Sequence, residues 1–333
     1  MFPDIFMNDA FSVIAMVDAI NKLPFVPGRL GRMGLFPERR ITTTTVMIEE
    51  KSGTLSLLSP TPRGGPGQTF DNAKRSVRPL SVPHLQYDGA VMADQVQGVR
   101  EFGTTDQLAT VQGVVNDKMA EYTPYFDATL EYQRVGAVKG IVTYANGSSV
   151  NLFTEFGVAQ EAEIDFDLDN ANPAKGAVYK KCAEVVRLVA KNVGGLPYSG
   201  IYCFAGDGFW DDLITHSEVE ETFKYQEGVR LRDRQPWQTV NYGGITFENY
   251  QGAVGETAFI DTDKAHFFPM GVPGLFATHF APADYMETVN TPGLPRYAKL
   301  IPMKNDKGVD IEMQSNPLSL CTMPKVLIKA KRT

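Results

Sequence analysis

The chain has 333 residues, of which 43% are hydrophobic and 21% are charged, and its net charge is −7. This length and composition predict a protein that buries sizeable cores, organised in about two domains. The acidic balance argues against a protein whose main task is to grip nucleic acid phosphates, because that task requires a net basic face.

The first 40 residues predict an arm that lies against another surface, since several of its side chains are too apolar to face water. An apolar run at 10–20 follows Asp9, a residue type that caps helices, and predicts a short helix. The run lacks the basic start of a signal peptide and is too short to span a membrane, so we expect a cytoplasmic protein. Prolines and three glycines between 24 and 37 predict no regular element, and the glycine spacing misses the dinucleotide-binding pattern.

Residues 41–85 predict an extended β-ribbon. Runs with β propensity at 42–48 and 54–58 precede a Pro/Gly-rich tip, and a third extended piece covers 75–82. Five basic residues and one acid lie between Lys51 and Leu85, although the whole chain is acidic. The tip sequence RGGPGQT lacks the ending of a phosphate-binding loop. Nothing in this segment can close a core, so the ribbon makes little sense for a protein working alone.

The longest helical pattern in the chain lies within 105–136. Apolar side chains recur there every three or four positions, and we expect a kink near Pro124. The opposite face carries several acids. A helix on the order of 45 Å long is typical of an extended subunit, although an ordinary core helix gives the same periodicity. A hairpin is predicted at 137–157 about Asn146-Gly147, and a polar link at 160–175 predicts a domain boundary.

From residue 172 the pattern predicts a compact α/β lobe. Asn172-Pro173 predicts a helix start, Gly194-Gly195 predicts its end, and a strand is expected at 200–205. A helix from Asp207, a capping box formed by Ser217 and Glu220, and a hairpin about Gly243-Gly244 follow. Strands at 296–302, 309–315 and 325–329 end the chain. We expect these last strands to pair with the hairpin after the long helix, which makes an α+β lobe discontinuous in sequence.

No residue pattern supports a catalytic, cofactor or metal site. The four histidines show no catalytic spacing, and His216 is expected to cap the carbonyls of a helix end. A D-x-D-x-D run from Asp165 begins like a calcium loop but lacks the glycine and the final glutamate that such a loop needs. Three well-separated cysteines among apolar or small neighbours predict buried, reduced thiols. They are Cys182, Cys203 and Cys321.

Five segments of the chain are distinctive in combination. They are HLQYDGAVMADQVQGVREFG at 84–103, EYQRVGAVKG at 131–140, GGITFENYQG at 243–252, GVPGLFATHFAPADYMETVNTPGLPRYAK at 271–299 and SNPLSLCTMPKVLI at 315–328. Together they resemble the major capsid protein family of lambda-type phages, the E family, whose members adopt the HK97-like fold. The resemblance implies an α+β chain in four parts. These are an N-terminal arm at 1–40, an extended loop (E-loop) at 41–85, a peripheral α+β domain at 86–159 plus 271–333 with a spine helix at 104–136, and an axial α/β domain at 160–270.

The resemblance implies a function as the major capsid protein of a tailed double-stranded DNA bacteriophage. Hexamers and pentamers would close an icosahedral shell, assembled in the host cytoplasm, around DNA that is bound without sequence specificity. A portal, a scaffold and a decoration protein would be further partners, and no membrane would be involved. Two alternatives remain open: an encapsulin-type cellular nanocompartment, which shares the fold, and an enzyme in which residues 54–82 form a mobile lid.

Charged residues are the candidates for contacts between subunits. Basic residues of the ribbon are expected to meet acids on a neighbouring spine helix or peripheral domain. The basic candidates are Arg63, Lys74, Arg75 and Arg78, and the acidic ones are Glu121, Asp127 and Glu131. Exposed pairs contribute only about 0.2–1 kcal/mol each, so they would set register while apolar burial by the arm supplies most of the affinity.

Overall fold

The computed structural model describes residues 28–51, 75–97, 111–170, 172–227, 239–254, 257–304 and 306–333. The helices are α1 Arg29–Met33, α2 Ala93–Val96, α3 Val111–Lys139, α4 Leu152–Glu155, α5 Ala177–Val193, α6 Asp207–Thr215 and α7 Ser217–Glu227. The strands are β1 Glu38–Arg40, β2 Thr45–Lys51, β3 Arg75–Ser81, β4 Leu85–Met92, β5 Ile141–Thr143, β6 Ser149–Asn151, β7 Ile164–Asp165, β8 Gly200–Ala205, β9 Val240–Tyr242, β10 Ile245–Asn249, β11 Ala253–Val254, β12 Thr257–Ala258, β13 Lys264–Met270, β14 Phe276–Phe280, β15 Tyr297–Pro302, β16 Gly308–Ser315, β17 Pro317–Cys321 and β18 Ile328–Lys331. Two short 3-10 turns, Met286–Thr288 and Pro324–Val326, complete the elements. None of the helices in these ranges combines the length and apolar character needed to cross a membrane.

The largest sheet has six strands in the order β7-β18-β13-β8-β10-β9. Strands β8 and β10 are parallel, whereas β13 is antiparallel to both β8 and β18. The predicted strand at 200–205 and the hairpin about Gly243-Gly244 are confirmed. Helix α5 packs the predicted apolar stripe against this core, and its four stripe residues are fully buried. They are Val178, Cys182, Val185 and Val189.

Three expectations about this lobe need correction. Helix α5 begins at Ala177, several residues after the predicted start at Asn172-Pro173. His216 lies between α6 and α7 and acts at the start of α7, because its carbonyl accepts from the Glu220 amide and its Nδ1 accepts from the Glu218 amide at 3.4 Å. The last strands do not pair with the hairpin after the long helix: β18 enters the six-stranded sheet between β7 and β13, and β15 and β16 form a sheet with β4.

Helix α3 is the long helix that the periodicity predicts, and it continues through Pro124 to Lys139. Its first half packs its buried apolar residues on a three-stranded antiparallel sheet, β15-β16-β4, to form a separate core. Its second half is buried on nearly every side within the main core. Gly136, the last residue of the predicted helix, lies inside the observed one, which ends at Lys139. A Cβ at this position would lie only 2.8 Å from the Val142 Cα, so the close approach of the two segments requires glycine. The helix start predicted at 104 lies outside the described residues.

The remaining strands form smaller sheets. Strand β1 pairs in parallel with β14, which pairs antiparallel with β17, and all residues of β14 and β17 are buried. Strands β5 and β6 form the predicted hairpin about Asn146-Gly147, although residues 152–155 continue as a short helix and not as strand. Helix α1 forms where no regular element was expected. The described residues confirm the predicted α+β class.

Candidate functional site

The base of the ribbon is anchored to the main core. Strands β2 and β3 pair antiparallel, from Thr45 opposite Ser81 to Lys51 opposite Arg75. Val46 and Leu80 are each 6% exposed and belong to the main hydrophobic cluster. The predicted strand at 54–58 lies outside the described residues. The described base of the ribbon is therefore fixed on the main core.

The structure describes only two of the four basic candidates, Arg75 and Arg78. Arg63 and Lys74 lie outside the described residues, and Arg75 is described only as a backbone position in β3. Arg78 has a contact within its own subunit, because its Nη1 donates a hydrogen bond to the carbonyl oxygen of Glu155 at the end of α4. This bond ties the ribbon base to the segment that follows the β5-β6 hairpin.

Two of the three acidic candidates are engaged inside the subunit. Asp127 forms an ion pair with Arg296 at 2.7 Å, and the two side chains are 10% and 6% exposed. Glu121 differs, since its side chain is 60% exposed and its partner is Lys118, one helical turn away, at 3.5 Å. The acids at 127 and 131 are thus engaged within the subunit and do not form a freely solvated helix face.

Glu131 is the best-connected of the three acids. Its side chain is buried, and its Oε1 accepts hydrogen bonds from the Leu30 amide at 2.7 Å and from the Tyr250 hydroxyl at 3.0 Å. Burial and the nearby carboxylate raise the pKa of the Tyr250 hydroxyl, which therefore stays a donor. Glu131 consequently links the first turn of α1 to the long helix and to the end of β10.

A second acid, which the sequence analysis missed, holds the same short helix. Arg29 forms a bidentate ion pair with Glu248, with distances of 2.6 Å from Nε and 2.7 Å from Nη2, and Tyr202 donates its hydroxyl to the same carboxylate. The hydrogen bond to Glu248 is the main cause that raises the pKa of Arg29. A paired Arg and Glu, separated by 219 residues in sequence, leave no local signal that a single sequence could reveal.

The three cysteines are packing residues of the core. All three cysteines are free and buried as predicted, and burial raises the pKa of Cys182 and of Cys321 to about 12. Such thiols stay protonated and unreactive at neutral pH. The described part of the chain holds no cluster of His, Cys, Asp and Glu side chains arranged to bind a metal ion. Asp165 instead pairs with Lys331 at 3.1 Å.

Comparisons with known proteins cover the whole chain. The family model described as phage major capsid protein E matches residues 12–332. The chain is 25% identical over 346 residues to the major capsid protein of Pseudomonas phage KPP10, covering 98% of each chain. It is 26% identical over 355 residues to that of Salmonella phage Felix O1, covering 96% of each chain. Among solved structures, it is similar to the prophage protein of E. coli CFT073 that is described as a capsid protein, with a TM-score of 0.57, 12% identity, and coverage of 96% of this chain and 99% of that chain.

Proposed function

Because the chain belongs to the phage major capsid protein E family, we propose that its copies close an icosahedral shell, as hexamers and pentamers, around double-stranded DNA. The protein is a major capsid protein of a tailed phage with the HK97-like fold, and its place is the virion capsid. The family match over residues 12–332 carries this proposal. Assembly in the host cytoplasm, with a portal, a scaffold and a decoration protein as partners, is part of the same proposal.

We assign the predicted parts of an HK97-like subunit with one refinement. The β15-β16-β4 sheet on α3 supports a peripheral domain made from 86–159 plus 271–333. The six-stranded sheet supports an axial domain over 160–270. Since β18 pairs with β7 and β13, we place 328–331 in the axial domain as well. The arm at 1–40 and the loop at 41–85 remain as predicted, with α1 as the point where the arm meets the long helix.

The ribbon is our candidate for the strap between neighbouring subunits. Within the described residues, β2 and β3 pair only with each other, and only Val46 and Leu80 of their described side chains are buried. A ribbon without its own core gains stability by lying on another copy. We propose that Arg63, Lys74 and Arg75 meet acids of that copy.

The exposure of the three acids ranks them as partners for the strap. Glu121 is the preferred one, since its carboxylate is the exposed one. Asp127 and Glu131 already have partners in their own subunit and are largely buried, so we rank them below Glu121 as partners for the ribbon. Arg78 would contribute mainly by holding the ribbon base in place.

The role is structural and not catalytic. The acidic net charge of −7 gives the shell little general attraction for DNA, which would let packaged DNA slide past its wall. An encapsulin-type compartment and an enzyme with residues 54–82 as a lid are the competing functions. The match to a phage capsid family favours neither.

Electron microscopy of the purified protein tests this function. Closed shells some tens of nanometres wide are expected, and DNA-filled particles from an infected host would separate a capsid from a nanocompartment. Uniform small particles at high protein concentration would instead favour the enzyme and contradict the proposal.

A further inference from the structure

Helices α5, α6 and α7 form one contiguous group on the six-stranded sheet. Helix α5 packs on β13 and β18, α6 packs on β10 and β13, and α6 contacts α7. Glu218 of α7 also accepts hydrogen bonds from the amides of Val178 and Tyr179 at the start of α5, at 3.3 and 3.1 Å. In the strand order, β18 and β10 lie on opposite sides of β13. Helices α5 and α6 therefore lie toward opposite edges of the sheet.

Charge is divided between the two sides of this helical group. Helix α5 contains four basic residues and one acid, although the whole chain has a net charge of −7. Helix α6 contains three acids and no basic residue, and α7 contains four acids and one lysine. One side of the group is therefore basic, and the rest of it is acidic.

Four outward charges of this group have no ion-pair partner inside the subunit. Arg187 and Lys191 are exposed on α5, and Asp207 and Asp211 are exposed on α6. None of these four side chains forms an ion pair with a residue that the structure describes. Asp212, the third acid of α6, differs because it pairs with Arg332 at 2.9 Å. The four unpaired charges are therefore available to a partner.

We propose that α5 of one copy docks against α6 of the next copy, so that Arg187 and Lys191 pair with Asp207 and Asp211. The two residues of each helix are four positions apart, which places them about 6 Å apart along the axis, at roughly 1.5 Å per residue. The two sets of charges therefore match in spacing as well as in sign. This contact rests on the proposed capsid role, because the shell supplies the neighbouring copy.

The arrangement of the charges identifies a second copy of this chain as the partner. The basic and acidic surfaces lie toward opposite edges of the sheet, so each copy can contact one neighbour through α5 and another through α6. Contacts between two different surfaces of a subunit form rings when the rotation between copies closes. DNA would pair with the basic surface alone and leave Asp207 and Asp211 without a partner. Complementary charge also disfavours orientations that bring like charges together, so it fixes which surfaces meet.

Apolar surface near the basic charges adds to the contact. Leu196 and Tyr198 follow shortly after the end of α5 and are 43% and 36% exposed. Exposed ion pairs alone stabilise a contact weakly, because water and salt screen them. We therefore expect burial of these two side chains to provide affinity, whereas the charges set the rate and the register of docking.

A charge swap in the full-length protein tests this contact. Arg187→Glu with Lys191→Glu should slow shell assembly at low salt by about tenfold, measured by light scattering. Asp207→Lys with Asp211→Lys should slow it similarly. A variant that carries all four substitutions restores opposite charges across the contact and should assemble at nearly the parent rate. The melting temperature of each variant reports folding and should stay within a few degrees of the parent.

The matched control restores the net charge at the wrong place. It combines Arg187→Glu and Lys191→Glu with Asp88→Lys and Asp310→Lys, which change two exposed acids of the β15-β16-β4 sheet. This variant has the same net charge as the swap but should remain slow. Equal rates for the control and the swap would overturn the proposal, as would a folded swap variant that assembles no faster than the α5 variant.

Cross-linking of the unmodified protein supplies a test that needs no variant. A carbodiimide joins a lysine amine directly to a carboxylate, so in shells made from isotope-labelled and unlabelled protein it should link Lys191 to Asp207 or Asp211. Mass spectrometry should find linked peptides with one labelled and one unlabelled half, and their absence would overturn the contact. Normal shells from every variant would overturn this contact and leave the capsid role standing. A parent protein that forms no shells would overturn both.

Discussion

Two β structures of this subunit differ in where their stability comes from. The six-stranded sheet buries whole aromatic side chains, among them Phe247 and Phe267, which are fully inaccessible to solvent. The ribbon of β2 and β3 buries two of its described side chains and leaves Met47 62% exposed. The sheet is therefore stabilised by the chain that contains it. Within the described residues, the ribbon is stabilised at its base through Val46 and Leu80, and we propose that another copy covers the rest.

The largest effect on shell assembly is expected from shortening the ribbon. Lys51 lies opposite Arg75, so a two-residue Asn-Gly turn can replace residues 52–74 and close the hairpin. We expect a folded subunit whose melting temperature changes by a few degrees and which forms no closed shells in electron micrographs. A Gly/Ser-rich linker of the original length serves as the control for loop length. Normal shells from the shortened variant would show that the ribbon is not the strap.

The second prediction compares packing in the two regions directly. Phe267→Ala removes a buried ring that stacks on Phe166 and contacts Phe247, and it should lower the free energy of unfolding by about 3–5 kcal/mol. Met47→Ala on the ribbon should change it by less than about 0.5 kcal/mol. Urea titration of both variants measures the difference. Similar losses of unfolding free energy in both variants would contradict the difference in stability between the sheet and the ribbon.

The third prediction concerns how acid pH lowers the stability of the six-stranded sheet. Burial, with smaller effects from nearby lysines, lowers the pKa of His266 on β13 to about 3. An unfolded histidine titrates near 6.5, so between that pH and about 3 the unfolded chain binds more protons than the folded one. Stability is thus complete above pH 6.5 and falls as the pH drops through this window, by at most about 1.4 kcal/mol per pH unit.

Urea titrations at pH 7 and pH 5.5 check this effect. The His266→Gln variant should lose about 1 kcal/mol less than the parent between these two pH values. His216→Gln is the matched control, because His216 is also buried but lies outside the sheet. An unchanged pH dependence in the His266 variant would refute the assignment.

The smallest effect is expected from individual charges on the ribbon. Arg75→Glu and Arg78→Glu together should slow or misdirect assembly. Arg75 would lose an exposed pair worth about 0.2–1 kcal/mol with another copy, and Arg78 would lose its hydrogen bond to Glu155 at the ribbon base. Light scattering at low and high salt measures the assembly rate, and the defect should shrink with salt. The control is Lys304→Glu, which makes the same change from a positive to a negative charge at an exposed position in the β15-β16 turn. If the ribbon variant assembled no more slowly than this control, the ribbon charges would not take part in the contact between subunits.

The comparison also explains what the sequence could predict. Periodicity located helix α3, helix α5 and strand β8, because each presents one apolar pattern to one core. Strands β14 and β17 were missed, since FATHF and PLSLC mix polar and apolar residues although every position is buried. Two of their polar residues meet across the sheet, where the Thr278 and Ser319 hydroxyl oxygens lie 2.9 Å apart. Pattern alone cannot show such long-range pairing.

The charged residues show the same limit. Glu121, Asp127 and Glu131 look alike in the sequence, yet the structure exposes the first and engages the other two within the subunit. They differ because two of them have partners from distant parts of the chain: Arg296 pairs with Asp127, and the Leu30 amide donates to Glu131. The family resemblance and the α+β class were confirmed because they depend on many positions at once.

The position of β18 has a consequence for how the subunit is made. This strand lies at 328–331, yet it is an interior strand of the sheet, between β7 and β13. A ribosome therefore has to translate as far as residue 331 before the six-stranded sheet can close. Contacts of such long sequence separation form slowly. A nascent chain consequently exposes an unfinished sheet until β18 is made, and only a polypeptide that includes β18 can offer neighbouring copies a finished building block.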